Sequence, residues 1–232
     1  METIRGRASL ELTASDFKRT VAGYEQILLD LGTGDGRYVR WMAEKHKERF
    51  FIGVDACREN LRDNSQRKLS NALFIIANAQ ALPLELNGLV SHITINFPWG
   101  SLLESLLNTN DPLISRLASI ARPYAGMEIR INGEALVTAG WSLELGADQI
   151  EAILNANGWR STSRSWMDAP VLRSFPTTWA KRLAFGRDPR AVQLKLIREE
   201  DSATDLHGCA RIAELARNEL NDQPTGYPRL IR

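Results

Sequence analysis

A doubly wound α/β fold with a mostly parallel sheet is predicted by three observations on this sequence. Apolar runs of strand length recur at Gln26 to Leu31, Phe50 to Val54, Leu73 to Ala77, Val90 to Asn96 and Met127 to Asn132, separated by stretches of helical length. The first run ends in three glycines within five residues, Gly32-Thr33-Gly34-Asp35-Gly36, ahead of a helix starting near Arg37. The second ends in a carboxylate, Asp55. A glycine turn after one strand and an acid at the end of the next form a cradle for a nucleotide-like ligand: glycines let it approach bare backbone, and the acid suits ribose hydroxyls.

From the N-terminus, residues 3 to 11 read as an extended or hairpin lead-in, and Thr13 with Asp16 three places later signals an N-cap for a short helix to about Ala22. The five runs and their helices follow. After Asn132 the pattern changes: Ala147 to Asn157 is helical and closes at Gly158, while Trp159 to Trp166 and Ala191 to Arg198 alternate as strands, so a final antiparallel pair is expected. The intervening Met167 to Pro189 is a long connection, of the kind that is usually functional. Beyond it, Ala210 to Leu220 is amphipathic, with Ile212, Leu215, Ala216 and Leu220 on one face. The expected organisation is one domain over residues 1 to 198, including an N-terminal extension at 1 to 25 and a linker at 167 to 190, followed by a helical extension at 199 to 232.

A chain of 232 residues, 44% hydrophobic and 25% charged, suffices for one such domain. No apolar run has the length of a membrane span and no secretory signal opens the chain, so no membrane partner and a cytoplasmic location are expected. Cys57 and Cys209 lie far apart, and His46, His92 and His207 form no ligand-spaced cluster, which argues against a metal or a disulfide framework. A net charge of +1 is not that of an indiscriminate polyanion binder, and no DNA partner is expected. Any nucleic-acid contact must use a local patch. One exists between Arg173 and Arg198, where seven basic residues face the single acid Asp188. A monomer is expected.

The spacing Gly32-x-Gly34-x-Gly36 lacks the last glycine position of the dinucleotide fingerprint, and Asp30 and Asp35 would repel a phosphate. The same acids favour a cationic ligand such as the ammonium and sulfonium of S-adenosylmethionine. The segment resembles motif I of the class I methyltransferases, which implies that Asp55 holds the ribose. A glycine turn by itself is often only a turn.

Substrate information lies in two tryptophans. Trp99, in Phe97-Pro98-Trp99-Gly100-Ser101-Leu102-Leu103, falls at the carboxyl edge of the fourth strand, where open α/β sheets bind ligands. Trp179, in Thr177-Thr178-Trp179-Ala180-Lys181-Arg182-Leu183, falls in the long connection beside the densest basic run. Two flat faces flanked by cations suit a base swung out of its stack while arginines hold phosphates. Trp41, Trp141, Trp159 and Trp166 read as packing residues or anchors.

These two motifs, with Leu29-Asp30-Leu31-Gly32-Thr33-Gly34-Asp35-Gly36 upstream, resemble the kanamycin-apramycin resistance methyltransferases, which modify N1 of adenine 1408 in 16S ribosomal RNA. The resemblance covers most of residues 1 to 198. It implies a class I S-adenosylmethionine-dependent, Rossmann-like fold: a seven-stranded mostly parallel sheet with an antiparallel last strand, helices on both faces and an N-terminal β extension. It implies methyl transfer from S-adenosylmethionine to the 30S subunit, blocking aminoglycosides at the decoding site. Trp99 and Trp179 match the two faces that clasp the flipped adenine, and Thr177 a hydroxyl residue near the transfer centre. Asp30, Gly32, Gly34, Asp55, Ala79 and Gln80 match cofactor positions, although Gln80 stands where relatives commonly have glutamate. Lys181, Arg182 and Arg187 match RNA-binding positions in the linker, and Arg58, Arg62, Arg67 and Lys68 lie in a second RNA-facing neighbourhood, where Glu59 and Asp63 also allow a solvated helix.

Neutral adenine carries an in-plane lone pair at N1, so attack on a sulfonium methyl needs no prior deprotonation, and positioning should dominate catalysis. The fourth-strand motif is not the Asn-Pro-Pro-Tyr pattern of exocyclic-amine methyltransferases, which favours a ring nitrogen. The alternatives are a methyltransferase acting on transfer RNA or a small molecule, and a catalytically silent ribosome-binding module.

Overall fold

The computed structural model describes residues 1–200. A hairpin of β1 (Glu2–Arg5) and β2 (Ala8–Glu11) turns at Gly6, whose φ is 62°. Helix α1 (Ala14–Val21) starts where the sequence places its cap: the Thr13 hydroxyl accepts the Asp16 N–H at 3.1 Å, and Phe17 and Val21 are buried. Then come β3 (Ile27–Leu31), α2 (Arg37–Lys45), β4 (Phe50–Asp55), α3 (Arg58–Ser65) and β5 (Ala72–Ile76). Two short 3-10 turns, at Ala79–Ala81 and Leu84–Leu86, lead to β6 (Val90–Asn96), α4 (Gly100–Leu107), α5 (Pro112–Ile120), β7 (Ala121–Asn132), α6 (Gly133–Thr138) and α7 (Leu143–Asn155). The chain ends its described part with β8 (Trp159–Met167), α8 (Ala169–Ser174), α9 (Thr178–Ala184) and β9 (Ala191–Arg198).

The strands form one sheet in the order β2-β1-β5-β4-β3-β6-β7-β9-β8. Strands β5, β4, β3, β6 and β7 are parallel, and β9 runs antiparallel between β7 and β8, as the final alternating segments predict. Side chains alternate between two apolar layers. Leu29, Ile52, Ile93 and Ile129 face α1, α4, α5 and α7, and Phe51 and Phe74 face α2 and α3 through Val39 and Leu61. Burial on both faces explains why these strands read as continuous apolar runs.

Four expectations are corrected. The sheet has nine strands instead of seven, because the N-terminal hairpin joins its edge: Thr3 pairs antiparallel with Ile75, and Thr3 and Ile4 are buried. An otherwise open edge strand is thereby covered. Strand β7 begins six residues earlier than Met127, at Ala121, which pairs with Val90 before a bulge restores register at Gly126 and His92. Helix α7 begins at Leu143, because Ser142 caps it by accepting the Leu145 N–H at 3.1 Å. Trp166, read with Trp159 as a packing residue or an anchor, is not packed: it is 55% exposed, whereas Trp159 is fully buried.

The connection between β8 and β9 folds into two capped helices. Asp168 accepts the Val171 N–H to start α8, and Thr177 accepts the Ala180 N–H at 3.0 Å to start α9. They share a small core of Phe97, Met167, Leu172, Ala180, Leu183, Ala184 and Ala191 at the carboxyl end of the sheet. The chain divides into units Met1–Glu199 and Glu200–Arg232; the amphipathic stretch 210–220, expected to be helical, lies outside the described residues, as do His207 and Cys209.

Candidate active site

At the end of β3 the chain turns at Gly32, whose φ of 68° is the left-handed region open to glycine; a Cβ there would stand 2.5 Å from the Leu102 side chain. The Gly32 and Thr33 N–H groups both donate to the Val54 carbonyl, at 2.9 and 3.0 Å, fastening the turn to β4. Gly34, at φ 57°, donates its N–H to Asp55 Oδ2 at 2.8 Å. Asp55 Oδ1 accepts the Cys57 N–H at 2.8 Å, so the carboxylate is oriented before any ligand arrives.

Beneath the turn Asp30 is buried, and its Oδ1 accepts from Thr94 Oγ1 and Asn96 Nδ2, both at 2.7 Å. Burial raises this carboxyl to about 6; the hydrogen bonds and the positive charge of Arg130 act the other way without cancelling it. Arg130 is itself paired with Glu128 and donates to Asn96 Oδ1 at 2.8 Å. Thr94 and Asn96, two positions apart on one face of β6, thus serve this network. Tyr38, half-buried here, is pushed up to about 12 by desolvation and the Asp30 charge, and remains a phenol.

Strand β6 hands the chain to Trp99 through Phe97, a non-glycine residue at φ 55° whose N–H donates to the Arg130 carbonyl at 2.7 Å. A bulky residue in that region is strained and persists where its surroundings over-determine it. From the opposite side α9 presents Trp179, and the two indoles stack with ring centroids 5.8 Å apart and planes at 27°. The Arg182 guanidinium lies 5.5 Å from the Trp179 ring. Two residues distant in sequence therefore meet. The pair is shut, however: a base held between two rings needs about 7 Å, twice a van der Waals contact, so the expected slot requires the rings to part.

Asp30, Gly32, Gly34, Asp55, Ala79, Gln80, Trp99, Thr177, Trp179 and Arg182 all line one cleft of about 590 Å³. Thr177 reaches it while its oxygen caps α9. Of the other basic residues, Lys181 and Arg187 are exposed and, among the described residues, make no ion pair; Lys68 is exposed too. Arg62 and Arg67 are partly engaged by acids, Arg62 with Glu59 at 3.2 Å and Arg67 with Glu44 at 2.8 Å, and Arg58 and Arg62 are half-buried on α3. Sequence reasoning missed Thr178, whose hydroxyl donates to Asp35 Oδ2 at 2.9 Å, and Phe175, which stacks on Tyr38 at 5.6 Å. Their signal was the Thr177 cap, which turns the connection into a helix.

Gln80 donates its amide to Asp111 Oδ2 at 2.8 Å and to Ser105 Oγ at 3.1 Å. Glutamate at this position would set a carboxylate against Asp111. Gln80→Glu is therefore expected to cost about 1 kcal/mol of stability near neutral pH, read as a lower melting temperature that recovers in acid as the pair takes up a proton. An unchanged melting temperature would show that the contact contributes nothing.

Known proteins give the arrangement a context. The family model for NpmA, a 16S rRNA (adenine(1408)-N(1))-methyltransferase, matches residues 2–197. A 16S rRNA (adenine(1408)-N(1))-methyltransferase of Escherichia coli is 32% identical over 208 residues, covering 81% of this chain and 94% of that protein. The solved structure of an antibiotic-related methyltransferase superposes with a TM-score of 0.74 at 32% identity, over 83% of this chain and 98% of that one. An enzyme of the same description from Catenulisporales acidiphilia, solved as a variant with its cosubstrate SAM, has a TM-score of 0.76 at 23% identity over 86% and 97% of the two chains, a likeness of fold alone. The match spans the glycine turn, both tryptophan motifs and the linker that joins them, and on it the chain belongs to the 16S rRNA (adenine(1408)-N(1))-methyltransferase family.

Proposed function

We propose that this protein transfers a methyl group from S-adenosylmethionine to N1 of adenine 1408 of 16S rRNA in the 30S subunit, conferring aminoglycoside resistance. The observation that carries the reading is the convergence of the glycine turn, Asp55 and the stacked Trp99 and Trp179 on a single cleft. The residues fit the donor. Asp30 offers a buried carboxylate to its ammonium, Asp55 an oriented carboxylate to its ribose, and the cleft volume of about 590 Å³ suits a ligand of that size.

When bound, S-adenosylmethionine supplies a methyl group already activated on a sulfonium. Trp99 and Trp179 hold the target base with N1 in line, and alignment of this kind is worth roughly 7 kcal/mol or more. Ala79 and Gln80 border the adenine end, Gly32 and Gly34 let the donor lie against backbone, and Thr177 retains a hydroxyl proton to donate near the reacting nitrogen. Lys181, Arg182 and Arg187 take phosphates of the decoding region, and Arg58, Arg62, Arg67 and Lys68 form a second, partly neutralised patch. The protein acts as a cytoplasmic monomer on assembled subunits.

Primer extension on 30S subunits incubated with the protein and S-adenosylmethionine tests the reading. A donor-dependent stop at the decoding-site adenine supports it; methyl label confined to transfer RNA, or none at all, rejects it.

Asp30 sets a pH dependence. A cationic ligand beside it favours the charged carboxylate, so donor affinity is expected to rise as pH increases through about 6. At about pH 6 binding should release protons, and the release should fade towards about pH 7, below the range in which the donor's own amine titrates, which calorimetric titrations in two buffers of unlike protonation enthalpy read directly. In the empty protein the raised carboxyl favours the folded state below the ordinary value of 3.8, and that contribution is lost as pH rises through about 6. Affinity flat across this window would remove Asp30 from the donor site.

A further inference from the structure

One hydrogen bond joins the two halves of the site. Asp35 sits in the glycine turn, and Thr178 is the first residue of α9, adjacent to Trp179. The Thr178 hydroxyl donates to Asp35 Oδ2 at 2.9 Å across 143 residues of sequence. Asp35 also accepts the Arg37 N–H through Oδ1 at 3.0 Å, and its carbonyl accepts from Asn64 Nδ2 at 2.7 Å. The preceding residue, Gly34, donates its N–H to the Asp55 carboxylate. That carboxylate is the group a ribose would engage.

We propose that the Thr178–Asp35 contact is a positioning device that couples occupancy of the cradle to the separation of Trp99 and Trp179. The proposal rests on the donor site described above. When ribose hydroxyls engage Asp55, Gly34 must share or yield its acceptor, and the peptide joining Thr33 to Gly34 shifts, moving the next residue, Asp35, with it. Asp35 carries the Thr178 hydroxyl along. Helix α9 is held on its other face by Ala180, Leu183 and Ala184 against Phe97, Met167 and Leu172, so a pull at its first residue tilts the helix on that apolar seat. Trp179, one residue from the pull, then moves relative to Trp99. The indoles, 5.8 Å apart, must part by roughly 1 Å to admit a base, a displacement that a re-set hydrogen bond can supply. Occupancy of the cradle would thus favour the open clamp, and base capture would follow donor binding.

The test needs no methyl transfer as its first readout. Stacked indoles give an exciton couplet in circular dichroism, identified by its absence from Trp179→Phe. Adding S-adenosylhomocysteine to the wild-type protein is expected to diminish the couplet. In Thr178→Val, S-adenosylhomocysteine should bind within about twofold of wild type while the couplet no longer responds, and kcat on 30S subunits should fall roughly tenfold with little change in the KM for the donor. Thr178→Ser, which restores the hydroxyl, should recover both. Should the valine variant fold poorly, Thr178→Ala removes the hydroxyl without adding bulk. A wild-type couplet indifferent to bound S-adenosylhomocysteine, or a valine or alanine variant that responds and turns over normally, overturns the coupling and leaves the donor site standing. Absence of S-adenosylhomocysteine binding to the wild-type protein overturns both.

Discussion

Trp179→Ala lowers kcat/KM on 30S subunits by roughly 100- to 1,000-fold while leaving the melting temperature and donor affinity nearly unchanged. The size has two sources. Stacking of a base on an aromatic ring is worth about 1–3 kcal/mol, and loss of one wall of the clamp also releases N1 from alignment, where a misplacement of about 1 Å costs roughly 100-fold. The fold should survive because Trp179 is 45% exposed and lies outside the small core that seats α9. Trp99 offers no such separation: it packs partly against the main hydrophobic core, so its removal mixes lost stacking with a cavity. Trp179→Phe should recover part of the rate, since a smaller flat face remains. Primer-extension time courses with melting curves on the same preparations check the expectation; an alanine variant of undiminished rate would remove Trp179 from the site.

The sheet was legible from the sequence because its strands are buried on both faces and end in glycine or acid punctuation, signals that local chemistry writes directly. The cradle was legible for the same reason: Gly32, Gly34 and Asp55 each answer a local backbone or strand-end requirement. Convergence of Trp99 with Trp179 was not readable from periodicity and came from the family resemblance, since it depends on how α9 seats against β6. Three features escaped because tertiary contacts decide them. The β1–β2 hairpin joins the sheet through one pairing, Thr3 with Ile75, that its own sequence does not announce. The connection before β9 becomes two helices through caps at Asp168 and Thr177, whose competition with loop structure is settled by burial of Leu172 and Leu183. The closed state of the indole pair depends on contacts on both sides of the cleft, and no run of residues encodes a spacing of that kind.

Asp55→Ala separates the two halves of the site from the other direction. Its carboxylate accepts the Gly34 and Cys57 N–H groups, so alanine removes the ribose partner and also releases the turn that faces it. Hydrogen bonds to a charged group contribute about 1.5–3 kcal/mol each, so donor affinity is expected to weaken roughly 100-fold or more. The released turn adds a stability loss of about 1–3 kcal/mol, visible in melting without donor. Since Asp55 acts on the ribose rather than on the transferred methyl, saturating donor should bring kcat back to within about tenfold of wild type, the remaining loss being that of the coupling to α9, and the larger defect lies in the donor KM. Trp179→Ala should show the reverse, a depressed kcat that no donor concentration repairs. The contrast is diagnostic, because a protein that merely binds ribosomes would show neither pattern, and a misfolded variant would show both defects together. Calorimetry finding wild-type donor affinity in Asp55→Ala would instead mean that the carboxylate only braces the Gly34 turn, and the ribose partner would have to be sought elsewhere along the cleft.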